Sequence, residues 1–237
     1  MSPEDRKSNS SPKSRLPLLV VVLLALSLAG ATPAAATDRQ SNGNDHSSSP
    51  SFSVLAAKWW QWGLAQPVPS PLTDPTGERC AEGQAGKIWF LAGGFNGLPD
   101  ATIERSCTVP SGKDLFFPLL NSFSGYQVNE EPVKLATVAA QRDVVESSGI
   151  QRAENLSVLV DGCPGKYKFE KSVPFQVTLP SDNLFGLKSN LLLKPVVDAG
   201  FYTYVPALRS GKHTVVFTGA FPGGDTITTT YHLVVRG

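Results

Sequence analysis

Between Cys80 and Asn121 the sequence reads CAEGQAGKIWFLAGGFNGLPDATIERSCTVPSGKDLFFPLLN. Three short runs in it are rich in β-branched and aromatic residues, which are typical of strands: KIWFL (87–91), ATIERSCTV (101–109) and DLFFPL (114–119). Glycine, asparagine and proline separate the runs, and these residues favour turns because Gly and Asn tolerate positive φ and Pro fixes φ. The sequence therefore predicts three strands joined by tight connections.

Cys80 and Cys107 flank the first two of these runs. A disulfide between them would stabilise the fold by about 3 to 4 kcal/mol in the chain-entropy model. In a cytosolic protein the alternative is a pair of reduced, buried thiols. Whether the two cysteines are oxidised or reduced therefore depends on the cellular compartment of the protein.

The N-terminus has the three parts of a secretory signal peptide. A basic region ends at Arg15, an apolar core covers residues 18–28, and Ala34 to Ala36 offers a cleavage site. A retained membrane anchor is the alternative, but the apolar run is shorter than the roughly 20 residues that a spanning helix needs. We therefore expect residues 1–36 to be removed, the mature chain to be secreted or periplasmic without a stable membrane anchor, and Cys80 and Cys107 to be paired.

Composition after the signal peptide indicates a short linker and one β domain. Residues 37–51 have no apolar side chain able to build a core, which predicts a disordered linker before a single domain at 52–237. Charged residues are only 17%, and 21 Gly with 19 Pro favour turns over long helices. The net charge of +1 gives no reason to expect a nucleic-acid partner. The cluster of Lys166, Lys168 and Lys171 is interrupted by Glu170 and fits a solvated edge strand better.

A helix is predicted from about Pro50 to Gln66, with Ser49 as its cap and Pro50 in its first turn. Its apolar residues follow helical spacing: Phe52, Leu55, Ala56, Trp59 and Trp62. That spacing places Trp59 and Trp62 inward and Trp60 partly outward. Trp60 is therefore the tryptophan that we expect to contact a ligand.

A second helix is predicted after Pro132 and ends at Gly149, with Leu135, Val138, Ala139, Arg142 and Val145 on one stripe. Five further runs have strand composition: 156–160, 173–179, 201–205, 213–219 and 227–235. The total of about eight strands predicts a mainly β protein, an antiparallel β-sandwich or jelly-roll with an N-terminal helix and one inserted helix.

The mature region resembles a group of uncharacterised secreted bacterial proteins. The resemblance covers the chain from about Phe52 to the C-terminus and depends on several segments: KWWQW (58–62), TGE (76–78) with Cys80, Gln84 with WFLAG (89–93), CTVP (107–110) through Phe117-Pro118, Leu179-Pro180 with Asp182-Asn183 through Gly186, and YHL (231–233). It implies an export route and a fold, and it implies no reaction. Cys163 is not part of the shared pattern.

The sequence contains few signals of catalysis or metal binding. After the predicted signal peptide it lacks G-x-S-x-G, H-E-x-x-H, S-x-x-K, C-x-x-C and a phosphate-binding glycine loop, so we expect no cofactor. Strand alternation places His213 on a face with Val215 and Phe217, whereas it places His232 on a face with Thr228 and Thr230. The two histidines should therefore point to different faces, which argues against a two-histidine metal site. Acidic residues at predicted strand ends or turns could bind calcium, but a turn role is favoured for them: Asp161, Asp182 with Asn183, and Asp198.

Two functions remain open from sequence. The first is a non-catalytic binding or surface-interaction protein for an extracellular ligand such as a carbohydrate, with Trp60, Tyr202 and Tyr204 as exposed contact residues. The second is an extracellular hydrolase of polysaccharide or ester. Its candidate groups are four carboxylates and one thiol: Glu82, Glu104, Asp161, Asp182 and Cys163. The thiol is the weaker candidate because a loop cysteine before Pro164 is better explained as a free thiol or an intermolecular bridge.

Overall fold

The computed structural model describes residues 51–95, 102–128 and 136–237. All of them belong to one compact unit, His46–Gly237. The predicted signal peptide, nearly all of the linker, Ser49, Pro50 and Leu135 lie outside the described residues.

Within that part of the chain, two α-helices and ten strands form a mainly β fold, as predicted. The helices are α1 (Phe52–Leu64) and α2 (Val138–Ser147). The strands are β1 (Ile88–Phe90), β2 (Thr102–Pro110), β3 (Asp114–Gln127), β4 (Glu154–Val160), β5 (Cys163–Pro164), β6 (Lys168–Lys171), β7 (Phe175–Thr178), β8 (Leu192–Val205), β9 (Gly211–Ala220) and β10 (Ile227–Arg236). The two strands beyond the expected eight are the short β5 and β6.

The strands form two sheets that pack face to face, as in a β-sandwich. The first sheet has the order β1-β3-β8-β6, with β7 also paired to β8, and the second has the order β2-β10-β9-β4-β5. β1 runs parallel to β3, and β2 runs parallel to β10. The prediction of an antiparallel arrangement is therefore wrong for these two strand pairs. β6 lies at an edge of the first sheet, which confirms the edge strand expected for Lys168 and Lys171.

The central stretch does not form one three-stranded unit. β2 belongs to the second sheet, whereas β1 and β3 pair with each other in the first. The turn at Gly112, with φ +80°, carries the chain directly from one sheet to the other. Strand composition predicted these three strands correctly, but it gives no information on which strands pair.

The first half of β3, residues 114–120, is buried on both faces because it lies between α1 and the second sheet. Successive strand residues point to opposite faces, so the adjacent Phe116 and Phe117 enter two different cores. The Phe116 ring meets Phe52 of α1 at a centroid distance of 5.4 Å, and the Phe117 ring meets Phe217 of β9 at 4.7 Å. The molecule therefore has three layers: α1, the first sheet and the second sheet.

The predicted outward position of Trp60 is wrong, because all three tryptophans of α1 are buried. Segments on more than one side cover the helix, and each indole N–H reaches an acceptor. Trp59 donates to the carbonyl of Leu91, and Trp62 donates to the carbonyl of Glu82. Helical spacing identifies the face that points to the sheet, but it cannot show that further segments cover the flanks.

The predicted stripe of α2 is only partly correct, with Val145 as its buried member. Gln141 and Val145 are the buried residues of the helix, whereas Val138 and Ala139 are exposed. The helix ends at Ser147, just before the predicted stop at Gly149, whose φ of +74° suits glycine.

The disulfide between Cys80 and Cys107 is confirmed, with an S–S distance of 2.03 Å. It joins the segment before β1 to the middle of β2. Cys163 is free and exposed on β5. A disulfide is compatible with an extracellular location.

Candidate functional site

A buried carboxyl group lies at the centre of the first sheet. Asp198 is in the interior of β8 and has no exposed surface, so the prediction that it lies at a strand end or turn is wrong. Its Oδ2 accepts a hydrogen bond from the indole of Trp60 at 2.7 Å, and its Oδ1 accepts one from the hydroxyl of Tyr202 at 2.7 Å. Arg142 of α2 donates to the Asp198 carbonyl at 2.6 Å. Asp198 therefore connects β8 to both helices, to α1 through its side chain and to α2 through its backbone carbonyl.

Burial raises the pKa of Asp198 from its ordinary value to about 7. The hydrogen bonds from Trp60 and Tyr202 and the charge of Arg142 favour the ionised form, but they only partly offset the cost of burial. Burial and the neighbouring Asp198 raise the pKa of Tyr202 well above its ordinary value. Asp198 can therefore gain or lose a proton near neutral pH, while Tyr202 keeps its proton.

Asn121 of β3 extends the network towards the surface. Its Nδ2 donates to the Tyr202 hydroxyl oxygen at 3.1 Å. Asn121 lies opposite Gly200 in the β3–β8 pair, and a Cβ at Gly200 would come within 2.5 Å of the Asn121 Cβ. Glycine at position 200 therefore lets the two strands pair with an asparagine at this point.

A cavity of about 180 Å³ lies beside this network, and we call it the α1 cleft. Trp60 and Asn121 belong to both. Most of its other side chains are aromatic or aliphatic, and Ser122 is the second polar side chain; the full lining is Trp59, Trp60, Leu72, Gly93, Gly94, Phe95, Pro118, Leu119, Leu120, Asn121, Ser122, Phe123, Phe221 and Ile227. None of these described lining residues carries a charge. The ring of Phe123 packs against Trp60 at a centroid distance of 4.2 Å.

The structure does not form the exposed aromatic surface that we predicted from Trp60, Tyr202 and Tyr204. Tyr202 is fully buried, because even-numbered residues of β8 face α1, and its ring stacks on Phe116 at 5.2 Å. The Tyr204 hydroxyl donates to the carboxylate of Asp114 at 2.5 Å. Only Trp60 of the three lines the α1 cleft.

The four carboxylates considered for hydrolysis have separate surroundings. Glu82 pairs with Arg79, and Asp161 accepts hydrogen bonds from His213 and from the Thr214 backbone. Glu104 and Asp182 are exposed. No two of these four are hydrogen-bonded or ion-paired to each other in the described part of the chain.

Asn183 has the turn role that the sequence predicted for it. Its side chain accepts from the backbone N–H groups of Phe185 and Leu187 and donates to the carbonyls of Pro180 and Leu187.

The two histidines point in different directions, as strand alternation predicted. His213 is largely buried, with 15% of its side chain exposed, whereas 55% of the His232 side chain is exposed. Across the ranges that the structure describes, no group of three or more His, Cys, Asp or Glu side chains could hold a metal ion.

Comparisons with known proteins add little. No family model and no curated protein matches the sequence. A solved structure titled "Solution Structure of Amebosin" is similar at 10% identity and a TM-score of 0.18, covering 56% of this chain and 95% of that chain. A TM-score this low gives no support to a shared fold or function. Among the described helices, none has the length and apolar character needed to cross a membrane.

Proposed function

We propose that the protein is a secreted or periplasmic, non-catalytic binding protein and that the α1 cleft receives one neutral, sugar-like ring of an extracellular ligand. The composition of the cleft carries this proposal. Its walls are mostly aromatic or aliphatic, and its polar side chains are the uncharged Asn121 and Ser122. Flat apolar faces with a few neutral hydrogen-bonding groups suit a ring that has both C–H faces and hydroxyl groups.

The size of the α1 cleft limits the ligand to one ring. A protein cavity of about 150 Å³ can hold benzene, and this cavity measures about 180 Å³. A single six-membered ring fits, and the remainder of a longer glycan would extend outside. Phe123 is the main stacking residue in this proposal, and Trp60 supports it from behind. This replaces the contact surface expected from Trp60, Tyr202 and Tyr204.

A glycan array on the purified mature protein is the first test, followed by calorimetric titration of the best binder. Phe123→Leu keeps an apolar side chain but removes the aromatic face, and we expect it to weaken binding by up to about tenfold. Tyr167→Leu is the matched control because Tyr167 is exposed and outside the α1 cleft. Equal affinities of Phe123→Leu and wild type would contradict the proposal.

One observation favours the second function, an extracellular hydrolase. Asp198 has a pKa of about 7, which suits a general acid or base at neutral pH. Its carboxylate is covered by Trp60 and Tyr202 and does not line the α1 cleft, so binding is the better supported function. Turnover of chromogenic glycosides or esters that is lost in Asp198→Asn would reverse this order.

A further inference from the structure

We propose that Asn121 determines the hydrogen-bonding selectivity of the α1 cleft, because Tyr202 and Asp198 hold its side-chain amide with the carbonyl oxygen available to the ligand. This inference rests on the proposed function of the cleft. It assigns a ligand class: rings that present a hydroxyl group, which donates to Asn121 Oδ1.

Three groups form a directed chain of hydrogen bonds from the core to the α1 cleft. The Tyr202 hydroxyl donates to Asp198 Oδ1, and Asn121 Nδ2 donates to the Tyr202 hydroxyl oxygen. Asp198 and Tyr202 are fully buried, whereas Asn121 is half-buried and lines the cleft. The chain therefore has a buried end and an accessible end.

The direction of each bond follows from the chemistry of the buried end. An ionised carboxylate has no proton and can only accept. The single hydroxyl proton of Tyr202 is therefore used on Asp198, so the Tyr202 oxygen can only accept from Asn121. While Asp198 is ionised, Asn121 must then present its NH₂ group to Tyr202, which fixes the orientation of the amide.

What remains of the amide at the accessible end is mainly an acceptor. One of the two N–H groups of Asn121 Nδ2 donates to Tyr202, and Oδ1 has no hydrogen-bond partner among the described residues. Ser122 is the other polar side chain of the lining. A ligand hydroxyl can donate to Oδ1, whereas a ring that has only acceptor atoms at this point leaves Oδ1 desolvated and unpaired. Sites that are built to hydrogen-bond a ligand hydroxyl discriminate against analogues that lack it.

Cyclohexanol and fluorocyclohexane test this selectivity, because they have similar shapes and only the first has a hydroxyl donor. Binding is followed at pH 8.5, where Asp198 is ionised, from the ¹H–¹⁵N signal of the Trp60 indole beside the α1 cleft. We expect wild type to bind cyclohexanol about two- to tenfold more tightly than fluorocyclohexane, which is the range of one neutral hydrogen bond.

Two variants separate orientation from simple contact. Tyr202→Phe keeps the ring that stacks on Phe116 but frees the Asn121 amide to rotate, and we expect the preference for cyclohexanol to fall below about twofold. Asn121→Leu removes the amide and should abolish the preference. Tyr204→Phe is the matched control, since it loses a hydroxyl from the same strand that binds a different carboxylate, Asp114; its preference should equal that of wild type.

The outcomes separate failure of the Asn121 inference from failure of the proposed binding function. If neither probe shifts the Trp60 signal of wild type, the proposed function of the α1 cleft fails together with the inference. If both probes bind wild type equally, or if Tyr202→Phe retains the full preference while its melting curve stays cooperative, the cleft binds rings but Asn121 does not select them.

Discussion

The indole N–H of Trp60 in α1 donates to the buried carboxylate of Asp198 in β8 at 2.7 Å. This bond joins the helical layer to the centre of the first sheet, and it satisfies the Trp60 N–H and the Asp198 Oδ2 atom, each of which would otherwise be buried without a partner. Leaving either group unpaired in a buried site costs about 1 to 3 kcal/mol, and more for a charged group. The same bond holds Trp60 against the α1 cleft.

Trp60 should therefore be as important for stability as Trp59. Trp59→Ala and Trp60→Ala each remove a buried indole together with its hydrogen bond, so both should lower the free energy of unfolding by about 3 to 5 kcal/mol. Urea unfolding monitored by circular dichroism measures this effect. Tyr167→Ala, at an exposed aromatic, should change the free energy of unfolding by much less. A Trp60→Ala variant as stable as Tyr167→Ala would show that Trp60 is not buried.

Asp198 should make the protein less stable as pH rises from about 4 to 7. Its folded pKa of about 7 lies above the ordinary aspartate pKa of 3.8, so between these values the folded protein holds a proton that the unfolded chain has released. The contribution to stability is fully present below the unfolded pKa and is lost as pH rises through the folded pKa. The charged or titratable groups that face Asp198 are Arg142 and Tyr202.

Asp198→Asn isolates this effect from other carboxylates. Desolvation raises the pKa of Asp74 and Asp114, but hydrogen bonds outweigh it, so the pKa of each is lowered. The pKa of Asp161 is lowered chiefly by the hydrogen bond from His213. These three groups therefore oppose the pH trend expected from Asp198. The difference in unfolding free energy between wild type and Asp198→Asn should fall by a few kcal/mol between pH 4 and pH 8. Parallel pH profiles of the two proteins would contradict the raised pKa.

Local patterns in the sequence are sufficient to predict most elements of the fold. Strand composition and alternation give eight of the described strands and the faces of His213 and His232, because these depend on near neighbours in the chain. The short β5 and β6 have too few residues to produce an alternating pattern. The pairing of β2 with β10 depends on residues more than a hundred positions apart, so no local signal reports it.

The candidate site was harder to predict because it is assembled from distant elements. Asp198 interrupts the run LLLKPVVDAGFYTYV (191–205), and a lone acid in an apolar strand is the signal that could have indicated a buried, partnered carboxyl. Asn121 and Phe123 have no comparable signal, since their role depends on the position of α1 over the first sheet. The predicted exposure of Trp60 is wrong for the same reason.

His213 should bind a proton more tightly than an ordinary histidine. A hydrogen bond to Asp161 and another to the Arg209 carbonyl raise its pKa, with burial opposing them. Nδ1 lies 2.7 Å from the Asp161 carboxylate and Nε2 lies 2.8 Å from the Arg209 oxygen, so both ring nitrogens face acceptors. The imidazolium satisfies both contacts, whereas the neutral ring can donate to only one.

An NMR titration of the His213 ring signals should therefore give a pKa above 6.5. Asp161→Asn should lower that pKa, because it removes the negative partner. The stabilisation from His213 is fully present below its unfolded pKa and is lost as pH rises through its folded pKa. His213→Gln should accordingly cost more stability at pH 5.5 than at pH 9. An unchanged pKa in Asp161→Asn would show that this ion pair does not form in solution.

The three cysteines should respond differently to substitution. The Cys80–Cys107 bridge joins two buried segments, and its removal by Cys80→Ala with Cys107→Ala should lower the free energy of unfolding by about 2 to 5 kcal/mol. Cys163→Ser changes an exposed, unpaired side chain on β5 and should stay within about 0.5 kcal/mol of wild type. Urea unfolding with and without reductant measures both effects. Peptide mapping without reduction should recover Cys80 joined to Cys107, and a fragment in which Cys163 is joined to either would contradict this pairing.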